Sequence, residues 1–104
     1  MSDIKREFED DVLSKDDVRL EEPPMFRVLL HNDDYTTMEF VVEVLMTVFN
    51  KSPEEATEIM LNVHKQGIGI CGVFTYELAE TKVAIVVDLA KASEFPLRCT
   101  MEKE

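Results

Sequence analysis

Apolar and polar residues alternate along parts of this chain and follow a helical spacing along others. From Met25 to Leu30, apolar residues alternate with Arg27, which predicts a strand. Two later runs, Ile68–Phe74 and Leu97–Met101, also predict strands, the first weakened by its glycines. Helical spacing fills the remaining segments, so the predicted order is β-α-α-β-α-β.

The first predicted helix covers residues 37–50. Thr36 suits the N-cap position, and Glu39 three residues later completes the pattern of a capping box. Most residues of this helix are apolar, which is more than one buried stripe requires. We therefore expect other parts of the protein to cover it on more than one side.

The second and third predicted helices have recognisable starts. Ser52–Glu55 is a second capping box with proline at the first helical position, and Gly67 suits a left-handed C-cap. Thr75 can cap a third helix that ends near residue 92. The loops are short, so the predicted fold class is α+β. It is a single compact β-α-α-β-α-β sandwich, with a three-stranded antiparallel sheet packed on three helices.

The segment before the first strand differs in composition from the rest. Residues 1–24 contain nine acidic and four basic residues, a net charge of −5, and end in Pro23-Pro24. Apolar residues are few there, which predicts a flexible acidic tail. The sequence thus predicts an N-terminal extension over 1–24 and one folded domain over 25–104.

Composition narrows the possible function. The chain has 104 residues, 45% of them hydrophobic, and a formal net charge of −11. This charge disfavours nucleic-acid binding, and no apolar run is long enough for a membrane helix. The acidic start is unlike a signal peptide, and Cys71 and Cys99 lack C-x-x-C spacing. We therefore expect a protein of a reduced cytoplasm.

Several residues could carry chemistry, and each also has a purely structural explanation. Asn32-Asp33-Asp34 is either a turn or a set of acceptors for a cation. His64 is either satisfied by a neighbour or offers an acceptor nitrogen at the rim of an apolar hollow. Met38 and Met60 either fill the core or line an adaptable pocket. The run Gly69–Lys82 presents either a solvated face or a docking patch.

Enzymatic chemistry has little support. The chain has no G-x-S-x-G, P-loop or H-E-x-x-H motif. A metal could in principle use four residues of ligand type, which are His31, Asp33, Asp34 and His64. No pair of them is spaced to share a helix face, so we expect no metal and no cofactor.

Four motifs in the same order resemble the ClpS family, the adaptor of the bacterial Clp protease. They are NDDYTTMEFV at 32–41, L-x-x-H-x-x-G around His64, GICGVFT-x-E-x-A-E-T-K at 69–82, and PLRCTMEK at 96–103. The resemblance implies a non-catalytic adaptor that binds proteins whose first residue is Leu, Phe, Tyr or Trp. It would hand them to the N-terminal domain of a ClpA-like or ClpC-like AAA+ unfoldase, as a monomer in the bacterial cytoplasm.

The resemblance also implies roles for individual residues. The free α-amino group of the substrate would be bound by Asn32, Asp33 and His64. The side-chain pocket would be lined by Thr36, Met38, Val41, Met60, Val63 and Leu97, with Met38 narrowing its entrance. The unfoldase would be contacted by Glu77 and Lys82, and the tail would regulate handover. Thr37 stands where many members have proline, which leaves the pocket intact but makes the turn less rigid.

Two alternatives stay open from the sequence. The same fold could bind another ligand, or the four residues of ligand type could form the site of a metal-dependent enzyme.

Overall fold

One antiparallel sheet and three helices make up the part of the protein that the computed structural model describes, residues 22–104. The elements are β1 (Met25–His31), α1 (Met38–Thr47), α2 (Pro53–Gln66), β2 (Ile68–Thr75), α3 (Tyr76–Ala92) and β3 (Arg98–Lys103). The predicted fold class and element order are confirmed. The predicted tail lies outside the described residues as far as residue 21. No helix of the described part is long and apolar enough to cross a membrane.

The central strand β1 pairs with β2 on one side and β3 on the other, both antiparallel. Its Val28 and Leu30 are fully buried in the core that the sheet shares with the helices. Helix residues complete this core, among them Val41, Val44, Leu45, Met60, Val63 and Val86. The core therefore holds α1 and α2 in place relative to the end of β1.

The first helix begins one residue later than predicted. Thr37, not Thr36, is its N-cap, and the Thr37 side chain accepts a hydrogen bond of 3.1 Å from the Phe40 N–H. The expected capping box of Thr36 and Glu39 is therefore wrong. Thr36 lies one residue before the cap and is part of the loop, where its N–H and hydroxyl both donate to Asp33.

The same helix also ends earlier and is less covered than predicted. Val48 is its C-cap, and Asn50 adopts a left-handed backbone with φ of 56°, so the helix cannot continue to residue 50. Val44 is buried against the core, but Met38 is 47% exposed and Met46 37% exposed. The described residues therefore cover this helix in part and leave the side that carries Met38 and Met46 open.

The second helix has the predicted ends. The Ser52 hydroxyl accepts from the Glu55 N–H and the Glu55 carboxylate accepts from the Ser52 N–H, each at 3.1 Å. Gly67 has φ of 89°, the left-handed conformation that glycine adopts without strain. The capping box and the glycine cap are both confirmed. Thr75, by contrast, precedes α3 without a side-chain capping bond.

The last strand begins and ends later than predicted. It runs to Lys103, which pairs with Phe26, and the Glu104 N–H donates to the Met25 carbonyl at 2.8 Å. The sequence did not predict this pairing, because the backbone makes it and the side chains of these last residues are polar. Leu97 lies just before the strand and is buried in the core.

Gly69 marks a close approach between β2 and α2. A Cβ atom at Gly69 would lie 2.6 Å from Cγ2 of Val63 and 3.4 Å from the Ile59 carbonyl oxygen. Valine has little rotamer freedom in a helix, so Val63 cannot easily turn away. Only glycine therefore lets the strand pack this closely against the helix.

Substituting Gly69→Ala should lower the free energy of unfolding by about 1–3 kcal/mol, the usual cost of overpacking a core. Urea denaturation would measure it. In a Val63→Ala background the same substitution should cost much less, because the clashing methyl group is gone. An equal loss in both backgrounds would contradict this explanation.

Candidate functional site

A pocket of about 260 Å³ opens where the end of β1, the start of α1 and the end of α2 meet. Its lining combines polar residues of the β1–α1 loop and of α2 with apolar residues of both helices. These residues are Asn32, Asp33, Asp34, Thr36, Met38, Val41, Met60, Val63 and His64. The pocket is therefore polar on its loop side and apolar on its helical side.

One backbone contact brings the two polar segments together. The Asn32 N–H donates to the Gly67 carbonyl at 2.9 Å, and the Gly67 N–H donates to the Val63 carbonyl at 2.9 Å. The left-handed backbone of Gly67 ends α2 just after His64. Asn32 and His64 are thus held at the same pocket by the cap of α2, although they are 32 positions apart in the sequence.

Asp33 is fixed in orientation by its own loop. Its Oδ1 accepts from the backbone N–H groups of Tyr35 (2.8 Å) and Thr36 (2.7 Å), and its Oδ2 accepts from the Thr36 hydroxyl (2.8 Å). Partial burial would raise the pKa of Asp33, but the hydrogen bonds from Thr36 and Tyr35 outweigh it and hold the pKa below its ordinary value. A carboxylate has about four acceptor positions, so at least one is left for a ligand.

The apolar side of the pocket is built from core residues. Val41, Met60 and Val63 are each at most 9% exposed, so they present rigid, packed surface. Met38 also lines the pocket but is 47% exposed. A ligand with an apolar side chain would therefore contact a fixed floor and one adaptable methionine.

The structure brings together eight of the nine residues predicted to bind substrate. The exception is Leu97, which is buried in the core and is not among the residues that line the pocket. Asp34 also lines the pocket. It was predicted as part of the turn, of a set of acceptors for a cation or of a metal site, but not among the residues that bind substrate. The sequence feature that could have predicted its place in the pocket is its position directly after Asp33.

The metal-site alternative finds no support in residues 22–104. No three histidine, cysteine, aspartate or glutamate side chains of this part lie close enough together to hold a metal ion. His31 is instead hydrogen-bonded through Nε2 to the Thr100 hydroxyl at 2.7 Å. Burial raises the pKa of the Cys71 and Cys99 thiols, so neither offers a ready thiolate.

The two residues predicted for unfoldase docking both lie on α3 but in different environments. Glu77 is exposed in the first turn, where a carboxylate suits the helix dipole. Lys82 is half-buried, and its Nζ donates to the Val48 carbonyl at 2.6 Å. The same Nζ lies 5.8 Å from the ring centroid of Phe49 and 5.7 Å from that of Phe74. Lys82 therefore ties α3 to the end of α1.

The pocket can bind a cation and an apolar group at once. A protonated amine has three N–H donors, and the Asn32 amide oxygen, the Asp33 carboxylate and a neutral His64 ring nitrogen are three acceptors. An adjoining apolar group would meet Val41 and Met60. This arrangement favours binding rather than bond cleavage.

Substituting Thr36→Val should raise the pKa of Asp33 toward its ordinary value of 3.8, because the hydroxyl bond to Oδ2 is lost. Thr36→Ser should leave it low. An NMR titration of the Asp33 carboxyl carbon would measure both. Because the pKa of Asp33 is lower in the folded state than in the unfolded state, the ionised carboxylate stabilises the fold above pH 3.8. This contribution is lost as the pH falls through the pKa of the folded state. The stability gap between wild type and Thr36→Val should therefore shrink in acid, and a constant gap would contradict this role.

Comparison with known proteins agrees with the sequence motifs. The family model described as "ATP-dependent Clp protease adaptor protein ClpS" matches residues 21–100. The ClpS of Desulfatibacillum aliphaticivorans is 62% identical over 94 residues, which cover 90% of each chain. The ClpS of Desulforapulum autotrophicum is 68% identical over 82 residues, 79% of each chain.

A solved structure is similar in fold as well as in sequence. It is that of Agrobacterium tumefaciens ClpS2 bound to L-phenylalaninamide, with a TM-score of 0.77 and 40% identity over 80% of this chain and 100% of that one. The family match spans most of the chain, and the two relatives cover well over two thirds of it. The chain therefore belongs to the ClpS family of ATP-dependent Clp protease adaptors, which are not themselves enzymes.

Proposed function

We propose that this adaptor binds the free α-amino group and the bulky apolar first side chain (Leu, Phe, Tyr or Trp) of its substrates. It then delivers them to the Clp AAA+ unfoldase for ATP-dependent proteolysis. The observation that carries the proposal is the pocket itself, in which acceptors for an ammonium adjoin an apolar floor. An N-terminal residue is the part of a protein that has a free amine beside a side chain.

The ligand of the related structure supports this proposal. L-phenylalaninamide has a free α-amine, a benzyl side chain, and an amide in place of the next peptide bond. It therefore resembles the first residue of a peptide. The Agrobacterium ClpS2 that binds it shares 40% of its sequence with this chain.

The size and charge of the pocket fit a single side chain with its amine. Its volume of about 260 Å³ is below the roughly 300–1,000 Å³ of sites for drug-sized ligands. Burying a leucine or phenylalanine side chain stabilises a complex by about 1.5–3 kcal/mol. Asp33, Asp34 and the net charge of −11 attract an ammonium, so binding should weaken with salt.

Within this proposal, Asn32, Asp33 and His64 bind the amine, and Thr36 holds the Asp33 carboxylate in place. Met38 narrows the entrance to the pocket. Leu97 supports the site only from the core. The acidic segment 1–24 acts during handover to the unfoldase. The adaptor works as a monomer in the bacterial cytoplasm, which supplies the ATP that this proteolysis needs.

The amine role is tested by fluorescence anisotropy of a labelled peptide that begins with leucine. N-acetylation should abolish binding, because it removes the charge and two donors. Asp33→Asn should cost about 2–3 kcal/mol in binding free energy, since it removes the charge but keeps an acceptor for the loop. Asp88→Asn, an equal change of charge outside the pocket, is the matched control. Equal binding of the free and acetylated peptides would contradict the proposed function.

The docking role is tested on α3. Glu77→Ala should weaken binding to the isolated N-terminal domain of a ClpA-like or ClpC-like unfoldase without changing the urea midpoint. Glu80→Ala, an exposed acid on the same helix, is the control. If Glu77→Ala and Glu80→Ala bind alike, Glu77 has no docking role.

Lys82→Met should lower the free energy of unfolding by about 1–2 kcal/mol, because the bond to the Val48 carbonyl is lost.

A further inference from the structure

A second hollow lies beside the first pocket, on the exposed side of α1. Its volume is about 410 Å³, and we call it the methionine groove. Six of its residues come from α1 and one from α2, and they are Met38, Glu39, Val42, Glu43, Met46, Thr47 and Met60. Met38 and Met60 also line the first pocket, so the two hollows adjoin and these two side chains form the wall between them.

The floor of the groove is apolar, and at Met38 and Met46 it is surface that the core leaves exposed. Met38, Val42 and Met46 are spaced four residues apart, so they form one stripe along α1. Met38 is 47% and Met46 37% exposed, whereas Val41, Val44 and Leu45 of the same helix are buried. Methionine adapts its shape to different partners, which suits a surface that meets varied side chains.

The rim of the groove is acidic. Glu39 and Glu43 are exposed and both line it. A carboxylate side chain entering the groove would be repelled, whereas an apolar side chain would be buried on the methionines.

We infer that the methionine groove binds the third residue of the substrate when that residue is apolar. The inference rests on the proposed function, because it needs the first side chain in the first pocket. In an extended peptide the first and third side chains point the same way, about 6.6–7 Å apart. A first side chain on one side of the Met38–Met60 wall therefore places the third on the other side. The groove thus selects apolar and rejects acidic residues at this position.

The test compares peptides that begin Leu-Ala-X, with X as leucine, alanine or glutamate, by competition against the labelled leucine peptide. Leucine should bind about fivefold more tightly than alanine, the gain from burying roughly half of its side chain. Glutamate should bind more weakly than alanine. Moving the leucine to the second position should remove the gain.

Two variants assign the effect to the groove. Met46→Gln should bring the ratio of leucine to alanine affinity close to one. Leu89→Gln, an equally exposed apolar residue on α3 outside both hollows, should leave the ratio at about fivefold. Equal affinities for X as leucine and alanine in the wild type would overturn the inference, as would a ratio that Met46→Gln leaves unchanged.

Further outcomes separate this inference from the proposed function. If the free-amine alanine peptide binds and its acetylated form does not, the first pocket works and only the groove is in question. If neither form binds, the proposed function fails and the inference fails with it. If Met46→Gln changes the mass of the protein in sedimentation but not the peptide ratio, a second copy of the chain covers the groove and the inference is overturned.

Discussion

The backbone hydrogen bond from the Asn32 N–H to the Gly67 carbonyl is the contact on which the binding pocket depends. It joins the loop after β1 to the last turn of α2, and so unites acceptors from distant parts of the chain. The bond is possible because Gly67 adopts the left-handed conformation, with φ of 89°. The residue that ends the helix thereby also holds the loop that begins at Asn32 against α2.

Helix α1 contributes to the core and to both hollows. Its inward residues, such as Val44 and Leu45, are buried, while Met38 and Met46 face two open hollows. Exposed apolar surface of this kind commonly marks a binding site. The apolar residues of this helix that the core leaves exposed are therefore the ones that line these hollows.

Two charged groups show how the fold prepares its surface before any partner arrives. Asp33 is held by three hydrogen bonds from its own loop, so its carboxylate is oriented in the absence of any ligand. Lys82 is held over two aromatic rings and bonded to the end of α1. Its charge therefore acts within the fold.

The sequence by itself determined the order of elements, the cap residues Ser52 and Gly67, and the family motifs, because these signals are local. The predicted N-cap at Thr36 was wrong, because a capping threonine and a threonine that bonds to a preceding aspartate have the same local sequence pattern. Only the tertiary structure decided that Leu97 packs into the core and that Met38 and Met60 separate two hollows. Such outcomes depend on which surfaces meet after the helices pack, and residue spacing along one chain does not encode that contact.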